Sequence, residues 1–304
     1  MTVATFLHET WSTATGTVGY LLAYRGVLAL AIVAAAFTRW VATRPRASRM
    51  RRTLAGAIFA GLTTPSAKAD LGSIVRAMQL RPGISPPLLI ATHVLTPYHV
   101  ILLGPLLGKD MLLSVVLGSV IAALLALALG RAVGWPGAAG AGSSGDSAEP
   151  ITAMRAVSRE LVRNGPAIVY GLLAGGAIAA WGLSSWAVAP ATLCEGTVAA
   201  QLLNAIIGVM LALLLNPSPA AMPFIGTYLW KTGLAHAGLV AFFCAAPITP
   251  TRLLRFRREL GTRPTVTLAL LLAGTAIASG MITALVYRLS GLTIHYKLIP
   301  EQLL

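Results

Sequence analysis

Carboxylates are scarce in this chain. Nine Asp and Glu residues stand against 23 Lys and Arg in 304 residues, so only 11% of side chains are charged and the net charge is +14. A soluble globular chain carries about 25% charged residues, and a solvated surface of ordinary size cannot be built from this supply. The shortage also removes a chemistry, because no paired acidic motif able to hold magnesium and a diphosphate occurs. Cysteine is scarcer still. Cys194 and Cys244 lie far apart, in or beside apolar runs, which excludes a disulfide framework and a thiolate metal cluster. A Walker-type phosphate loop is missing, so ATP, if used, must come with a partner. The Gly142, Ser143, Ser144, Gly145 run sits in low-complexity sequence and is no serine-nucleophile elbow. Neither an enzyme nor a cofactor site is expected.

Apolar residues fill the space that charges vacate: they make up 56% of the chain, and the mean hydropathy is +0.78. Runs near the roughly 20 residues needed to cross a bilayer occur at about 26–43, 84–107, 111–133, 166–190, 233–250 and 264–288. Six spanning helices are expected there. The first 15 residues read as polar, with His8 and Glu9, and show no cleavable signal peptide, so the first span is expected to persist. The positive charge would suggest nucleic acid in a soluble chain, but here it clusters beside membrane helices and reads as a topology signal. No nucleic-acid partner is expected.

Arg44, Arg46, Arg49, Arg51 and Arg52 form one basic loop, and Arg252, Arg255, Arg257, Arg258 and Arg263 a second. Both belong on the cytoplasmic side. Six spans meet this condition if residues 53–82 and 196–231 each form a hairpin that enters and leaves on one side, the first opening inward and the second outward. The two halves then run in opposite directions. The expected fold is an all-α integral membrane protein, an inverted repeat of two halves, each with three spanning helices and a proline-broken re-entrant hairpin. Counting each hairpin as two crossings gives about eight spans instead. The first repeat covers 1–133, a Gly/Ser-rich cytoplasmic linker 134–165, and the second repeat 166–304. Within the linker region, residues 155–163 can form a short amphipathic helix.

Proline carries the duplication. Gly83 precedes Pro97 by 14 positions, as Gly233 precedes Pro247, and each block follows a segment broken at proline. Broken membrane helices are tolerated only where protein or water surrounds the freed backbone groups, and their repetition points to a transporter's binding site. The candidate substrate-binding residues are therefore Thr64, Pro65, Ser66 and Lys68 at the first break, His93 and Pro97 at its closing proline, and Asn216, Pro217 and Pro247 in the second copy. Lys68 could meet an anion, and His93 could bind substrate or carry a coupling proton. His236, one turn beyond Gly233, could line the second half.

The chain resembles the predicted permease family that includes the organoarsenical exporter ArsP. The resemblance rests on Gly-Leu-Thr-Thr-Pro-Ser at 61–66, on Gly83 through Pro-Tyr-His at 97–99 to Leu107 and Gly108, and on Pro223, Gly233, Ala246, Pro247 and Pro250 leading to Leu260 and Gly261. It implies a small-molecule permease, an efflux pump of the cytoplasmic membrane. Where that family shows cysteines after the first proline, this chain has Ser66, Ala67, Lys68, Ala69 and Asp70, so the arsenical cargo does not transfer with the fold. The expected function is secondary-type efflux of a small molecule by alternating access, with the bilayer and a coupling proton or ion as partners. Two alternatives stand beside it: a membrane enzyme acting on a lipid-linked phosphate through Ser85, His93 and Glu195, and an accessory membrane subunit.

Overall fold

The computed structural model describes residues 2–23, 25–42, 96–132, 152–182 and 197–292. Every regular element among them is an α-helix: α1 (Val3–Ala23), α2 (Arg25–Ala42), α3 (Pro97–Leu107), α4 (Lys109–Ala132), α5 (Ala153–Gly182), α6 (Val198–Leu215), α7 (Met222–Lys231), α8 (His236–Cys244), α9 (Pro250–Leu260) and α10 (Thr262–Leu289). Four of them, α4, α5, α6 and α10, contain stretches long and apolar enough to cross a membrane.

Their faces are arranged as a bilayer requires. α6 turns Leu202, Leu203, Ile206, Met210 and Leu214 outward and buries Ala200, Asn204, Ala205, Gly208 and Ala212. α10 likewise exposes Val266, Leu270, Ile282 and Leu285 while burying Thr265, Thr275, Ser279, Gly280 and Thr283. Large apolar groups outside and small or hydroxylic groups inside reverse the soluble pattern, and they suit helices that associate by close backbone approach in lipid.

Helix directions follow from contacts at several levels. The Tyr287 hydroxyl donates to the Asp110 carbonyl at 2.9 Å, Gly118 faces Thr283, and Ala126 clusters with Leu271, so α4 and α10 are antiparallel. His236 stacks near Tyr287 with ring centroids 5.0 Å apart, and Gly280 abuts the Ala237 carbonyl, so α8 opposes α10. Gly208 and Asn204 of α6 meet Gly238 and Ala235, which makes α6 parallel to α8. Gly226 of α7 faces Phe243 and Leu239 of α8, which closes α7 and α8 into an antiparallel hairpin.

That hairpin corrects the sequence reading of this half. Residues 196–231 do not form the expected re-entrant pair, since α6 alone is a continuous apolar helix of 18 residues. Residues 233–250 do not form a span either: α8 has nine residues, about 13.5 Å at 1.5 Å per residue, under half of a roughly 30 Å core. The reversal lies instead at Met222–Cys244. Its open end lies where α6 ends at Asn216 and the basic helix α9 begins, since Thr251 donates to Asn216. The remaining differences are smaller. α5 begins at Ala153, so the expected amphipathic segment and the span beyond it are one helix running through Pro166. α1, expected as a polar tail, is helical; Thr15 and Thr17 donate back to the Trp11 and Thr13 carbonyls at 2.9 Å each, so hydroxyls that read as polar are satisfied within the helix. The first hairpin and residues 133–151 between the halves lie outside the described residues.

Glycine sets the spacing around α8. A Cβ on Gly208 would stand 2.0 Å from the Gly238 carbonyl oxygen, and one on Gly280 2.3 Å from that of Ala237. Gly208→Ala must therefore push α6 off α8, and a loss of about 1–3 kcal/mol is expected from overpacking. Gly274→Ala, where nothing lies within 4 Å, is expected to leave stability unchanged or raised. Thermal melting of the two variants in detergent checks the contrast, and equal melting points would refute the close contact.

Candidate functional site

Two corners of this fold are built alike. Before α3, Thr96 is extended (φ −73, ψ 156), Pro97 takes the first position of an 11-residue helix, and Gly108 turns the chain at φ 91, ψ 162 into the long helix α4. Before α9, Thr249 is extended (φ −86, ψ 146), Pro250 opens another 11-residue helix, and Gly261 turns at φ 86, ψ 174 into α10. Proline suits this place because its missing N–H has no partner in a first turn. A positive φ near 90° favours glycine. The partner of Pro97 is therefore Pro250, 153 positions on, and not Pro247.

Matched positions in the two corners reach into neighbouring helices. Tyr98 donates to the Glu160 carboxylate of α5 at 3.1 Å, and Asn164 binds both. Its counterpart, Thr251, donates to Asn216 Oδ1 at 3.3 Å. His99 is buried, meets Thr96 Oγ1 through Nδ1 at 3.2 Å, and packs edge-on against Phe243 with ring centroids 5.5 Å apart. In the place of His99 the second corner has Arg252, also buried, whose Nη1 donates to the Ala246 carbonyl at 3.4 Å.

These contacts converge on the non-helical stretch Ala245–Thr249 between α8 and α9. Pro247 lies within it and is buried. Pro97 starts the helix whose His99 reaches Phe243, just before the stretch. Asn216 ends α6 in the left-handed region (φ 45, ψ 46) and receives Thr251, just after it. Pro217 follows, buried. Four of the nine candidate residues are thus gathered around one interrupted segment. The other five, Thr64, Pro65, Ser66, Lys68 and His93, lie outside the described residues, as do Ser85 and Glu195.

A thiol completes this region. Cys244 is buried at the end of α8, beside the Ser119 and Ser279 hydroxyls of α4 and α10. The Thr283 hydroxyl, buried without a hydrogen-bond partner, lies with Val240 and Cys244 around Gly118. Small polar groups therefore line the crossing of α4, α8 and α10 just ahead of the interruption.

The hairpin tip is the other polar locus, and sequence reasoning caught only His236 there. The Ala235 N–H, which precedes α8, donates to Asn204 Oδ1 at 3.1 Å, while Asn204 Nδ2 donates to the Ala200 carbonyl at 2.9 Å. Lys231 closes α7 with its Nζ buried and without a hydrogen-bond partner, 5.8 Å from the centre of the Tyr228 ring. Taking an ammonium out of water costs several kcal/mol, and such a ring contact offsets about 0.5–2 kcal/mol. His236 Nε2 is also buried without a partner. The signal that could have found Lys231 was available: a lysine three residues after a tyrosine, next to the Gly233 turn, inside an otherwise apolar block.

Comparison with protein-family models, with curated proteins and with solved structures gave no match.

Asn204→Leu would leave the Ala235 N–H without its acceptor in an apolar surround, at an expected cost of about 1–3 kcal/mol. Asn204→Asp keeps an acceptor oxygen and is expected to rescue part of that loss. Detergent melting curves of the three proteins decide; a leucine variant as stable as the parent would show that the tip is held by other contacts.

Proposed function

We propose that this protein is a secondary-type permease of the cytoplasmic membrane, an exporter that moves a small molecule through the region around Ala245–Thr249 by alternating access between two inversely oriented halves. The observation that carries the reading is the pair of Thr-Pro corners. Each starts a helix at an interruption and ends it at a glycine turn, and the long helices that follow, α4 and α10, run antiparallel. Equivalent parts in opposite directions are what an inverted repeat provides, and interrupted helices at the meeting point of the halves are where such transporters hold their cargo.

The buried hairpin α7–α8 supports the same reading. Its helices, each about half a bilayer long, leave chain ends inside the bundle, and backbone of that kind is stable only beside protein or an aqueous cavity. The resemblance of the proline patterns to predicted permeases points in the same direction. His99 and Arg252 occupy matched places beside the interruption. We assign them to cargo binding or to the coupling step.

Function is tested by expressing the chain in a sensitive host, challenging it with arsenicals, oxyanions and antibiotics, and measuring accumulation. Lower accumulation of at least one compound is expected. Pro97→Ala and Pro250→Ala, each confirmed in the membrane at parental levels, are expected to reduce that export by at least about tenfold, since proline fixes where each helix can begin. No change in accumulation across the panel would sink the permease reading; parental export by both variants would sink the role of the corners.

Orientation has its own test. Single cysteines at Lys109 and Arg263, introduced into a protein lacking Cys194 and Cys244, are expected to react with an impermeant maleimide from opposite sides of the membrane. Labelling of both from one side would exclude the inverted arrangement.

A further inference from the structure

The two Thr-Pro corners share a backbone and part in what their helices carry. α3 holds no charged residue and buries Tyr98, His99, Leu102, Leu103, Leu106 and Leu107 in the bundle. α9, of the same length, carries four arginines against the one carboxylate of Glu259. Its inner side is fixed by packing: Arg252 and Phe256, four residues apart and so on one face, are both buried, and Leu253 packs against the core. Its outer side is exposed. Leu254, Arg257 and Arg258 stand at i, i+3 and i+4, which puts them on a single face, and all three are exposed, Leu254 at 57%. After the Gly261 turn Arg263 is exposed too, one turn before Val266 and two before Leu270, the apolar residues that α10 turns outward. Three exposed arginines therefore fall within residues 257–263, between an outward leucine and the start of an outward apolar stripe.

A leucine and two guanidinium groups on one exposed face ask for different surroundings, and a bilayer interface supplies both: the apolar side chain enters the acyl boundary while the cations stay at headgroup level. We propose that the outer face of α9, with Arg257 and Arg258 as its cationic pair, Leu254 as its apolar anchor and Arg263 beyond the turn, binds the phosphate headgroups of anionic phospholipids. Charge complementarity selects this occupant, since basic side chains beside a membrane helix attract anionic lipid and a zwitterionic headgroup offers no net charge. Guanidinium forks also bond phosphate oxygens in pairs, which an ammonium cannot do. The inner face of the same helix reaches the interrupted stretch, where Arg252 donates to the Ala246 carbonyl. Lipid on one face of α9 therefore steadies the helix that borders Ala245–Thr249 on the other. The lipid site does not depend on what the bundle transports.

The test melts the purified full chain in neutral detergent with added dioleoylphosphatidylglycerol, with dioleoylphosphatidylcholine, or with sodium phosphate. A saturable rise in melting temperature is expected with phosphatidylglycerol alone, and it is expected to shrink as ionic strength rises. Arg257→Gln combined with Arg258→Gln is expected to weaken the apparent affinity for phosphatidylglycerol by about thirtyfold, the joint effect of two interfacial arginines. Leu254→Ser is expected to weaken it by about tenfold through loss of the apolar anchor. Arg155→Gln combined with Arg159→Gln removes the same charge from exposed positions on α5 and is expected to leave the affinity unchanged. Every substituted position is exposed, so folded protein is expected from each variant. The proposal is overturned if phosphatidylcholine protects equally, if sodium phosphate by itself gives the shift, if the α9 arginine pair or Leu254→Ser binds like the parent, or if the α5 pair weakens binding as much as the α9 pair. A shift specific to phosphatidylglycerol in a protein that exports nothing would remove the permease reading and leave this site standing. Export without such a shift would do the reverse.

Discussion

The bond from the Ala235 N–H to Asn204 Oδ1 joins a chain reversal to a helix that crosses the bundle. A hairpin that turns inside an apolar environment exposes the N–H groups of its second helix, and lipid offers them no acceptor. Asn204 supplies one from within the protein and is itself pinned by the Ala200 carbonyl. The bond also sets a register, because it holds the start of α8 at the level of Asn204 and so brings Gly238 against Gly208. With that register fixed, α8 lies between α6 and α10 at backbone contact, and its residues from Ala237 to Phe243 are buried. Moving it by one residue would bring Ala237 or Leu239 to the place where Gly238 now meets Gly208.

Everything on the polar side of the bundle follows from that placement. Phe243 is presented to His99, Cys244 to the serines of α4 and α10, and the interrupted stretch to Arg252 and to the end of α6. Large side chains such as Phe224, Phe242, Phe243, Leu102, Leu103 and Met111 fill the interior, while Gly118, Gly208, Gly238 and Gly280 let the helices around α8 approach at backbone distance. Close approach of this kind gains dispersion energy along the whole crossing. A hairpin with one end pinned at its tip and the other leading into an interruption is mechanically suited to small displacements of α9.

Composition made the helical, membrane-suited character legible, and the positions of α2, α4 and α10 followed from their apolar runs. The pairing of the halves was half legible. Spacing alone matched Pro97 with Pro247, because both lie 14 residues after a glycine. The backbone matches Pro97 with Pro250, because an extended threonine precedes each and a glycine turn follows each after 11 residues. Two prolines three residues apart cannot both open one helix, and proline counting does not say which does. The threonine before and the glycine after would have decided it. α6 was misread for a similar reason: the prolines at 217 and 219 suggested a break at the end of a short arm, whereas 18 apolar residues before them are enough to cross. The site was less legible than the fold, since Asn204 acts through a contact more than 30 positions away in sequence.

The two corners carry different residues at matched positions, and the difference bears on mechanism. His99 and Arg252 both follow their proline by two, yet only the arginine is a permanent cation. On the permease reading proposed above, two identical corners would give two states of equal energy. A permanent cation at one corner and an imidazole at the other make them unequal. The arginine corner opens the basic helix α9, and its Arg252 donates back to the Ala246 carbonyl. In the histidine corner the ring meets Thr96 Oγ1 and packs edge-on against Phe243, so the two corners are held by different contacts.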